Sequence, residues 1–449
     1  MPATFFPALS AATAPSSRAA RPLRRLACAV SALWCVALAP AMAQSVRTAS
    51  PVDFPPATLP QPAERAPVVS APAWVQPLER ALAQAEADSR VRLGVYVRDL
   101  ETGASASFHG SEPWYLASTV KVPVAIAVLR GVERGDFTLD TPLTLRAADY
   151  VDGAGPTNGR PVGAPLTVRY LLEQMIVYSD NTASDMLIGL VGIGTVNAVV
   201  QSLVPRGFGR ITSLADVRRH VYGVLTPEAA HLSGTDFLAL RQQQRLHGDA
   251  AARSALATLL RVPERSLAPT DLASAYETYY AGGLNSGRLD AYADLLQALV
   301  EGRALDARHT AYLLSVMERV KTGPQRIKAG LPPGARFAHK TGTQRARTCD
   351  SGLVTVPRSL PERRVLVVAC TRGEPSTARS DRALRQVGIA LCQSGLLSDG
   401  RSHEPRCPTL PARASGPGAA PSGDAPGARP HGAGGGAAPA ADGAGDDDA

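Results

Sequence analysis

Strand-like patterns in this 449-residue chain fall into two groups that are separated by more than 200 residues. The first group covers 92–99 and 104–108, where apolar and polar residues alternate with the period of two that is typical of strands. The second group consists of three runs, at 336–343, 352–356 and 364–371. The section between the groups, 114–326, follows mostly the 3.6-residue period of helices. This order predicts an α+β fold, in which both ends of the domain build one antiparallel sheet flanked by helices, with an inserted all-helical lobe.

Composition divides the chain into four sections. Residues 1–43 have the features of a secretory signal peptide. These features are a basic region with Arg18, Arg21, Arg24 and Arg25, the apolar run 26–39 and the small-x-small cleavage site Ala41-Met42-Ala43. A Pro- and Ala-rich linker follows at 44–73, the folded domain is 74–397, and the low-complexity tail 398–449 is expected to be disordered because it lacks apolar residues for a core. We therefore expect an exported protein, periplasmic or secreted, without a stable membrane span after signal cleavage; the alternative is an uncleaved anchor, for which the apolar run is short.

Four cysteines remain once the signal peptide is removed, and they allow three pairings: Cys349, Cys370, Cys392 and Cys407. Export makes disulfides chemically possible. Cys349 opens one strand-like run and Cys370 closes the next, and these two ends lie side by side in an antiparallel hairpin. The sequence therefore favours a Cys349–Cys370 disulfide, with free buried thiols as the alternative.

Lysine is rare in this chain, although basic residues are common. Lys and Arg together number 47 and the formal net charge is +8, yet only four residues are lysines: Lys121, Lys321, Lys328 and Lys340. An amine can lose its proton and act as a base, whereas a guanidinium effectively cannot, so these positions are candidates for chemistry. The domain contains no basic run or basic-aromatic cluster, so we expect no nucleic-acid partner, and the positive charge suits an anionic small substrate.

Ser118-Thr119-Val120-Lys121 is the first of three short motifs, and it stands where we predict a helix that begins at Ser118 and runs to Leu129. Residues three apart share one face of a helix, so the amine of Lys121 can reach the hydroxyl of Ser118. The helix N-terminus disfavours a protonated lysine, and a neutral amine can take the serine proton so that Oγ attacks a carbonyl carbon. The alternative is a surface serine and lysine on an ordinary helix.

Ser179-Asp180-Asn181 is the second motif, in a short loop between two helical stretches. A second serine can pass a proton to a leaving nitrogen, and the amide of Asn181 can hydrogen-bond a substrate amide. The alternative is a helix N-cap, since all three residue types favour that position.

Lys340-Thr341-Gly342-Thr343 is the third motif, within a strand-like run. Lys340 offers positive charge to a substrate carboxylate, and Gly342 lets the backbone approach a ligand closely. A strand edge can also pair with a peptide-like amide. The similar triplet Lys321-Thr322-Gly323 is followed by Pro324, which disfavours a strand there, so we assign the motif to Lys340.

These three motifs, in this order, resemble the set found in class A β-lactamases and penicillin-binding proteins, which are penicillin-recognising serine hydrolases. The resemblance covers most of 78–395 and includes the segments 114–130 and 326–332. Its spacing favours the class A β-lactamase family over the larger penicillin-binding proteins. It implies a β-lactamase/transpeptidase-like fold with the active site between the sheet and the helical lobe.

The resemblance also implies a role for each motif residue. Ser118 would be the acylated serine, Lys121 its base, Ser179 a proton relay and Asn181 the residue that holds the acylamide. The substrate carboxylate would be bound by Lys340, Thr341 and Thr343. The backbone amides of Ser118 and Thr343 would form the oxyanion hole.

The resemblance breaks at the residue that deacylates the enzyme. Class A β-lactamases have a Glu-x-x-Leu-Asn motif about three dozen residues after the serine of the second motif, and its glutamate activates the deacylating water. Here that distance leads to Ala215, without such a motif, and Asp216 is the nearest carboxylate. Asp216 is thus a candidate base, and its alternative role is an ion pair with Arg218 or Arg219. The section that follows, 224–268, contains a helical insert that class A proteins do not usually have.

The resemblance implies a serine hydrolase acting on cyclic amides, which opens β-lactam rings through an acyl-Ser118 intermediate. The alternatives are a penicillin-binding D-alanyl-D-alanine peptidase and a slowly deacylating β-lactam sensor, both of which the missing glutamate favours. The histidines and cysteines have no metal-ligand spacing, so we expect no metal and no cofactor. The expected partner is a small-molecule β-lactam or a peptidoglycan peptide, and we expect a monomer.

Overall fold

The computed structural model describes residues 71–357, 362–397 and 407–408. The predictions of a signal peptide, of most of the linker and of most of the tail therefore lie outside the described residues. The strands are β1 (Arg92–Asp99), β2 (Ser105–Phe108), β3 (Pro113–Tyr115), β4 (Pro142–Thr144), β5 (Pro165–Thr167), β6 (Ser286–Arg288), β7 (Arg336–Gln344), β8 (Arg347–Val356) and β9 (Arg363–Arg372). The helices up to the insert are α1 (Val75–Ser89), α2 (Lys121–Arg134), α3 (Val168–Val177), α4 (Asn181–Val191), α5 (Ile193–Leu203) and α6 (Leu214–Gly223). The later helices are α7 (Gly234–His247), α8 (Asp249–Leu260), α9 (Leu272–Ala281), α10 (Leu289–Val300), α11 (Ala307–Glu318), α12 (Ile327–Gly330) and α13 (Thr377–Gln393).

Strands from both ends of the domain form one five-stranded sheet, as predicted. Its order is β2-β1-β9-β8-β7, and every neighbouring pair is antiparallel. β7, which contains the third motif, is an edge strand. The mixed α+β architecture confirms the predicted fold class, and it leaves one edge of β7 without a neighbouring strand in the described part of the chain.

Two hydrophobic cores lie on opposite faces of this sheet. One packs α1 and α13 against the sheet and contains Leu82, Val367 and Leu384. α1 contributes to it through buried residues spaced three and four apart, which is the pattern of an amphipathic helix: Val75, Leu78, Leu82 and Ala85. The other core joins the second face, through residues such as Leu366 and Val368, to the helical lobe. Each fully buried Val or Leu contributes about 1.5–3 kcal/mol relative to an exposed one.

β8 is longer than its apolar pattern predicts, because it begins at Arg347 and not at residue 352. Its first half is polar, yet it is buried between β7 and β9. The polar side chains there have partners: Arg347 pairs with Glu277, and Asp350 shares a hydrogen bond with His339. Hydrophobic alternation therefore detects only the half of this strand whose side chains do not depend on polar partners from other elements.

The predicted disulfide is present. Cys349 on β8 and Cys370 on β9 are directly opposed in the sheet, with Cα atoms 4.1 Å apart, and their sulfurs are bonded. A second disulfide joins Cys392, near the end of α13, to Cys407 in the tail. The first bond fixes the strand next to the third motif, and the second fastens part of the tail to the domain.

The section 224–268 contains two helices, α7 and α8, as predicted for the insert. Among the described residues, no single helix is both long and apolar enough to cross a membrane. α4 and α5 together are long and apolar enough, but the two helices are bent by 84° relative to each other.

Candidate active site

Ser118 lies on a 3-10 turn, Ala117–Val120, and the α-helix begins only at Lys121. The prediction that Ser118 starts the helix is therefore wrong by one turn. A 3-10 turn has three residues per turn, so it aligns Ser118 with Lys121 at least as well as an α-helix does. Ala117 has a φ of 46°, an unfavourable left-handed backbone for a residue with a Cβ, and such strain is concentrated at functional sites. Ser118 is 1% exposed, and its Oγ has no hydrogen-bond partner among the described residues.

The amine of Lys121 joins the first two motifs. Its Nζ lies 2.5 Å from the backbone oxygen of Ser179, 3.1 Å from Ser179 Oγ and 2.7 Å from Asn181 Oδ1. These three acceptors match the three N–H bonds of a protonated amine. Loss of one proton leaves a lone pair on a buried nitrogen in the helix turn next to Ser118, which is the state that a general base requires.

The loop between α3 and α4 contains both a capping residue and residues that contact the amine of Lys121. Asp180 caps α4, because its Oδ1 accepts the amide of Ala183 at 2.8 Å, and its Oδ2 accepts the amide of Thr157. The N-cap alternative is thus correct for Asp180 alone. Ser179 adopts a φ of 60°, and its hydroxyl, together with the amide oxygen of Asn181, faces the amine of Lys121. The cap holds the backbone, while Ser179 and Asn181 contact Lys121.

β7 brings the third motif against the other two. Lys340 Nζ donates to Ser179 Oγ at 2.9 Å, so the amines of Lys121 and Lys340 both contact the same hydroxyl. A Cβ added to Gly342 would lie 2.8 Å from the backbone oxygen of Leu116 and 3.0 Å from the amide nitrogen of Ser118. Gly342 is therefore required for the close approach of β7 to the turn that contains Ser118. All the predicted motif residues are brought together in this region of the structure.

Arg326 is a residue of the site that motif reasoning missed. It is fully buried against β7, donating from Nη2 to Thr343 Oγ1 at 2.7 Å and from Nη1 to the backbone oxygen of Gly342 at 3.2 Å. Its Nε pairs with Asp381 of α13 at 2.7 Å. The guanidinium fixes the rotamer of Thr343 and adds positive charge next to it, which favours an anion nearby. The signal in the sequence was an arginine shortly after the Lys321-Thr322-Gly323 triplet, a segment that packs on β7 through a hydroxyl contact between Thr322 and Thr341.

Asp216 makes the ion pair that was the alternative to a catalytic role. Arg219 Nη1 donates to its Oδ1 at 2.7 Å, and the Asp216 side chain is 43% exposed. A different acid, Asp185 on α4, lies four residues after Asn181, on the same helix face. Its two oxygens accept the amides of Leu214 and Ala215, in the first turn of α6, at 2.7 and 2.9 Å. Sequence reasoning missed Asp185 because its partners are distant in the chain.

Asp185→Asn is expected to change how stability depends on pH. Burial of the carboxylate raises the pKa of Asp185 to about 6, although the amides of Leu214 and Ala215 oppose this rise. Because folding raises this pKa, protonation stabilises the folded state; the stabilisation is complete below about pH 4 and is lost as the pH rises through about 6. Between those values the wild type should lose up to about 3 kcal/mol of unfolding free energy relative to the variant. Urea unfolding of both proteins across this range measures the difference, and a difference that is independent of pH would contradict the assignment.

Three potential metal ligands come together outside the motifs, although their spacing in the sequence gave no sign of it. Donor atoms of Glu133, Asp306 and His309 lie within 4.8 Å of one another. They already pair with each other, since His309 Nδ1 is 3.0 Å from Asp306 and 3.3 Å from Glu133. Glu133 is near the end of α2, twelve residues from Lys121, which corresponds to about 18 Å of helix. The cluster is therefore separate from the site around Ser118.

Comparison with known proteins agrees with this arrangement of fold and motifs. The model of the Beta-lactamase enzyme family matches residues 77–394, so the chain belongs to this family. A β-lactamase of Streptomyces albus G is 29% identical over 327 residues, which are 71% of this chain and 85% of that protein. β-Lactamase L2 of Stenotrophomonas maltophilia is 31% identical over 199 residues, 39% of this chain and 64% of that protein. Membership of the family supports hydrolysis or binding of β-lactams.

Solved structures show the same fold. The crystal structure of a β-lactamase from Sphaerobacter thermophilus matches with a TM-score of 0.53 and 26% identity, covering 72% of this chain and 99% of that one. A point mutant of PBP-A, described as an acyl-enzyme complex with penicillin G, also has a TM-score of 0.53; at 21% identity it covers 71% of this chain and 96% of its own. The fold is therefore common to β-lactamases and to a protein described as an acyl-enzyme with penicillin G.

Proposed function

We propose that this protein is a class A-like serine β-lactamase, which opens β-lactam rings through an acyl-Ser118 intermediate. The observation that carries the proposal is the convergence of Lys121 and Lys340 on Ser179 Oγ. Ser118, three residues before Lys121, is buried, and its Oγ has no hydrogen-bond partner among the described residues. These contacts support Ser118 as the nucleophile, Lys121 as its base and Ser179 as the proton relay. The proteins similar to this chain that are named β-lactamases support the same substrate class.

Acylation follows from these positions. Neutral Lys121 takes the proton of the Ser118 hydroxyl, and Oγ forms a bond to the carbonyl carbon of the lactam. The C–N bond of the ring then breaks, and the nitrogen receives a proton from Ser179, which regains a proton from the protonated amine of Lys121. The backbone amides of Ser118 and Thr343 stabilise the oxyanion.

The substrate carboxylate binds at the strand β7. Lys340 supplies an ammonium group, and Thr341 and Thr343 supply hydroxyls. Arg326 adds positive charge beside Thr343, although Asp381 offsets part of it. The acylamide of the substrate lies against Asn181.

Deacylation separates the main proposal from its alternatives. A D-alanyl-D-alanine peptidase would act faster on a peptide ending in D-alanyl-D-alanine than on a β-lactam, whereas a sensor would be acylated once and stay acylated. Steady-state rates with a chromogenic cephalosporin and with such a peptide distinguish these cases. Sustained cephalosporin turnover that exceeds peptide cleavage supports the β-lactamase; faster peptide cleavage favours the peptidase, and a single burst favours the sensor.

Asp216→Asn is expected to leave the deacylation rate unchanged within about twofold, because the Asp216 carboxylate is paired with Arg219. Loss of this partly exposed ion pair should also change folding stability little. Single-turnover measurements by intact mass report the rate at which the acyl-enzyme disappears. Accumulation of the adduct, with acylation at the wild-type rate, would instead make Asp216 the residue that activates the water.

We further propose that the protein acts outside the cytoplasm, as a monomer, on a small β-lactam or a peptidoglycan peptide. The basic region, apolar run and cleavage site at the N-terminus support export.

A further inference from the structure

A buried ion pair lies next to the candidate site, and the motifs do not include either of its members. Arg218 of α6 donates from Nε to both carboxylate oxygens of Asp152, at 2.8 and 3.0 Å. Each side chain is only 5% exposed. Arg218 Nη1 also donates to Tyr276 Oη at 3.1 Å, so the guanidinium is held from two sides.

Asp152 connects this pair to the second motif. Its backbone oxygen accepts Nδ2 of Asn181 at 2.7 Å, while Oδ1 of Asn181 accepts Nζ of Lys121 at 2.7 Å. Both ends of the Asn181 amide are therefore occupied, which fixes the orientation of its plane. A continuous series of buried contacts joins Arg218 to Asp152, Asn181 and Lys121.

The cost of an unpaired buried charge makes the position of Asp152 depend on Arg218. Removing one member of a buried ion pair leaves an uncompensated charge, which is strongly unfavourable. The segment that contains Asp152 would then shift or take up water, and the acceptor of the Asn181 amide would shift with it. Arg219, the next residue, differs: its ion pair with Asp216 is partly exposed and has no link to Asn181 among the described contacts.

We propose that Arg218 is a positioning residue, which acts through Asp152 to orient the amide of Asn181 and thereby sets the preference for substrates with an acylamide side chain. This inference rests on the proposed function. Arg218 touches neither substrate nor reacting atoms. Its effect on selectivity is exerted through the substrate group that Asn181 contacts.

The test compares benzylpenicillin, which has an acylamide, with 6-aminopenicillanic acid, which lacks it. Arg218→Lys keeps a positive charge near Asp152 but loses the contact with both carboxylate oxygens. It should lower the ratio of kcat/KM for benzylpenicillin to kcat/KM for 6-aminopenicillanic acid by about tenfold. Asn181→Ala should lower the ratio in the same direction. The double variant Arg218→Lys/Asn181→Ala should have the same ratio as Asn181→Ala, because both changes remove the same interaction.

Controls separate positioning from loss of structure. Arg219→Lys should keep the wild-type ratio. If Arg218→Lys does not fold, the double variant Arg218→Met/Asp152→Asn removes both buried charges and should show the same loss of selectivity. A loss of folded protein lowers kcat/KM for both substrates equally and therefore leaves the ratio unchanged. If Arg218→Lys is folded and its ratio equals that of the wild type, the positioning role is overturned and the proposed function is not. A wild type that reacts with neither substrate overturns the proposed function, and the positioning role with it.

Discussion

Ser118→Ala is expected to abolish the covalent adduct with any β-lactam and to lower turnover by about 10⁵-fold or more, since removal of a catalytic nucleophile has effects of this size. The fold should be retained, because Ser118 Oγ has no hydrogen-bond partner among the described residues, so its removal leaves no buried group unsatisfied. Intact mass after incubation with penicillin, together with a steady-state assay, measures both effects.

Ser105→Ala is the matched control, because Ser105 is an exposed serine on β2, outside the motifs. It should label and turn over like the wild type. Persistent labelling of Ser118→Ala would place the nucleophile at another residue and would refute the assignment of the first motif.

Lys121→Arg is expected to reduce the acylation rate by about 10³-fold or more. The substitution keeps a positive charge but removes the base, because a guanidinium does not lose its proton at neutral pH. The larger planar group must also fit in a fully buried space that now holds an amine with three oxygen acceptors. Stopped-flow acylation with a chromogenic cephalosporin gives the rate constant.

The control for this change is Lys328→Arg, since Lys328 is exposed on α12. Its rate should equal that of the wild type. If Lys121→Arg acylates at the wild-type rate, Lys121 contributes only charge, and another group takes the serine proton.

Local patterns in the sequence predicted the parts of this fold that depend on neighbours in the chain. Alternation predicted β1 residue for residue, at Arg92–Asp99, and the ends of the hairpin runs predicted the Cys349–Cys370 disulfide. Alternation predicted too short a β8, because the polar residues at the start of this strand are stabilised by partners on other elements. Sequence reasoning also placed Ser118 on an α-helix, since the periodicity of a few residues does not distinguish a 3-10 turn from an α-helical one.

The predicted site residues were those with recognisable spacing, and the missed ones have partners far away in sequence. Arg218 meets Asp152 across 66 residues, and Asp185 meets Ala215 across 30. Arg326, directly before α12, contacts Thr343 on β7 across 17 residues. No periodicity links such pairs, so only the folded structure identifies them. Asp180 shows the converse case, because one motif contained both a helix cap and the groups that contact the lysines.

The most direct test of an acyl-Ser118 intermediate follows the purified wild-type protein with a chromogenic cephalosporin in a stopped-flow instrument, with samples quenched for intact mass and peptide mapping. We expect one covalent adduct per molecule, located on Ser118, that forms before or during colour development. Continued turnover after the adduct forms identifies a β-lactamase, whereas a burst of one equivalent identifies a penicillin-binding protein or sensor with the same nucleophile. Absence of any adduct and any turnover, or an adduct on another residue, would contradict the account.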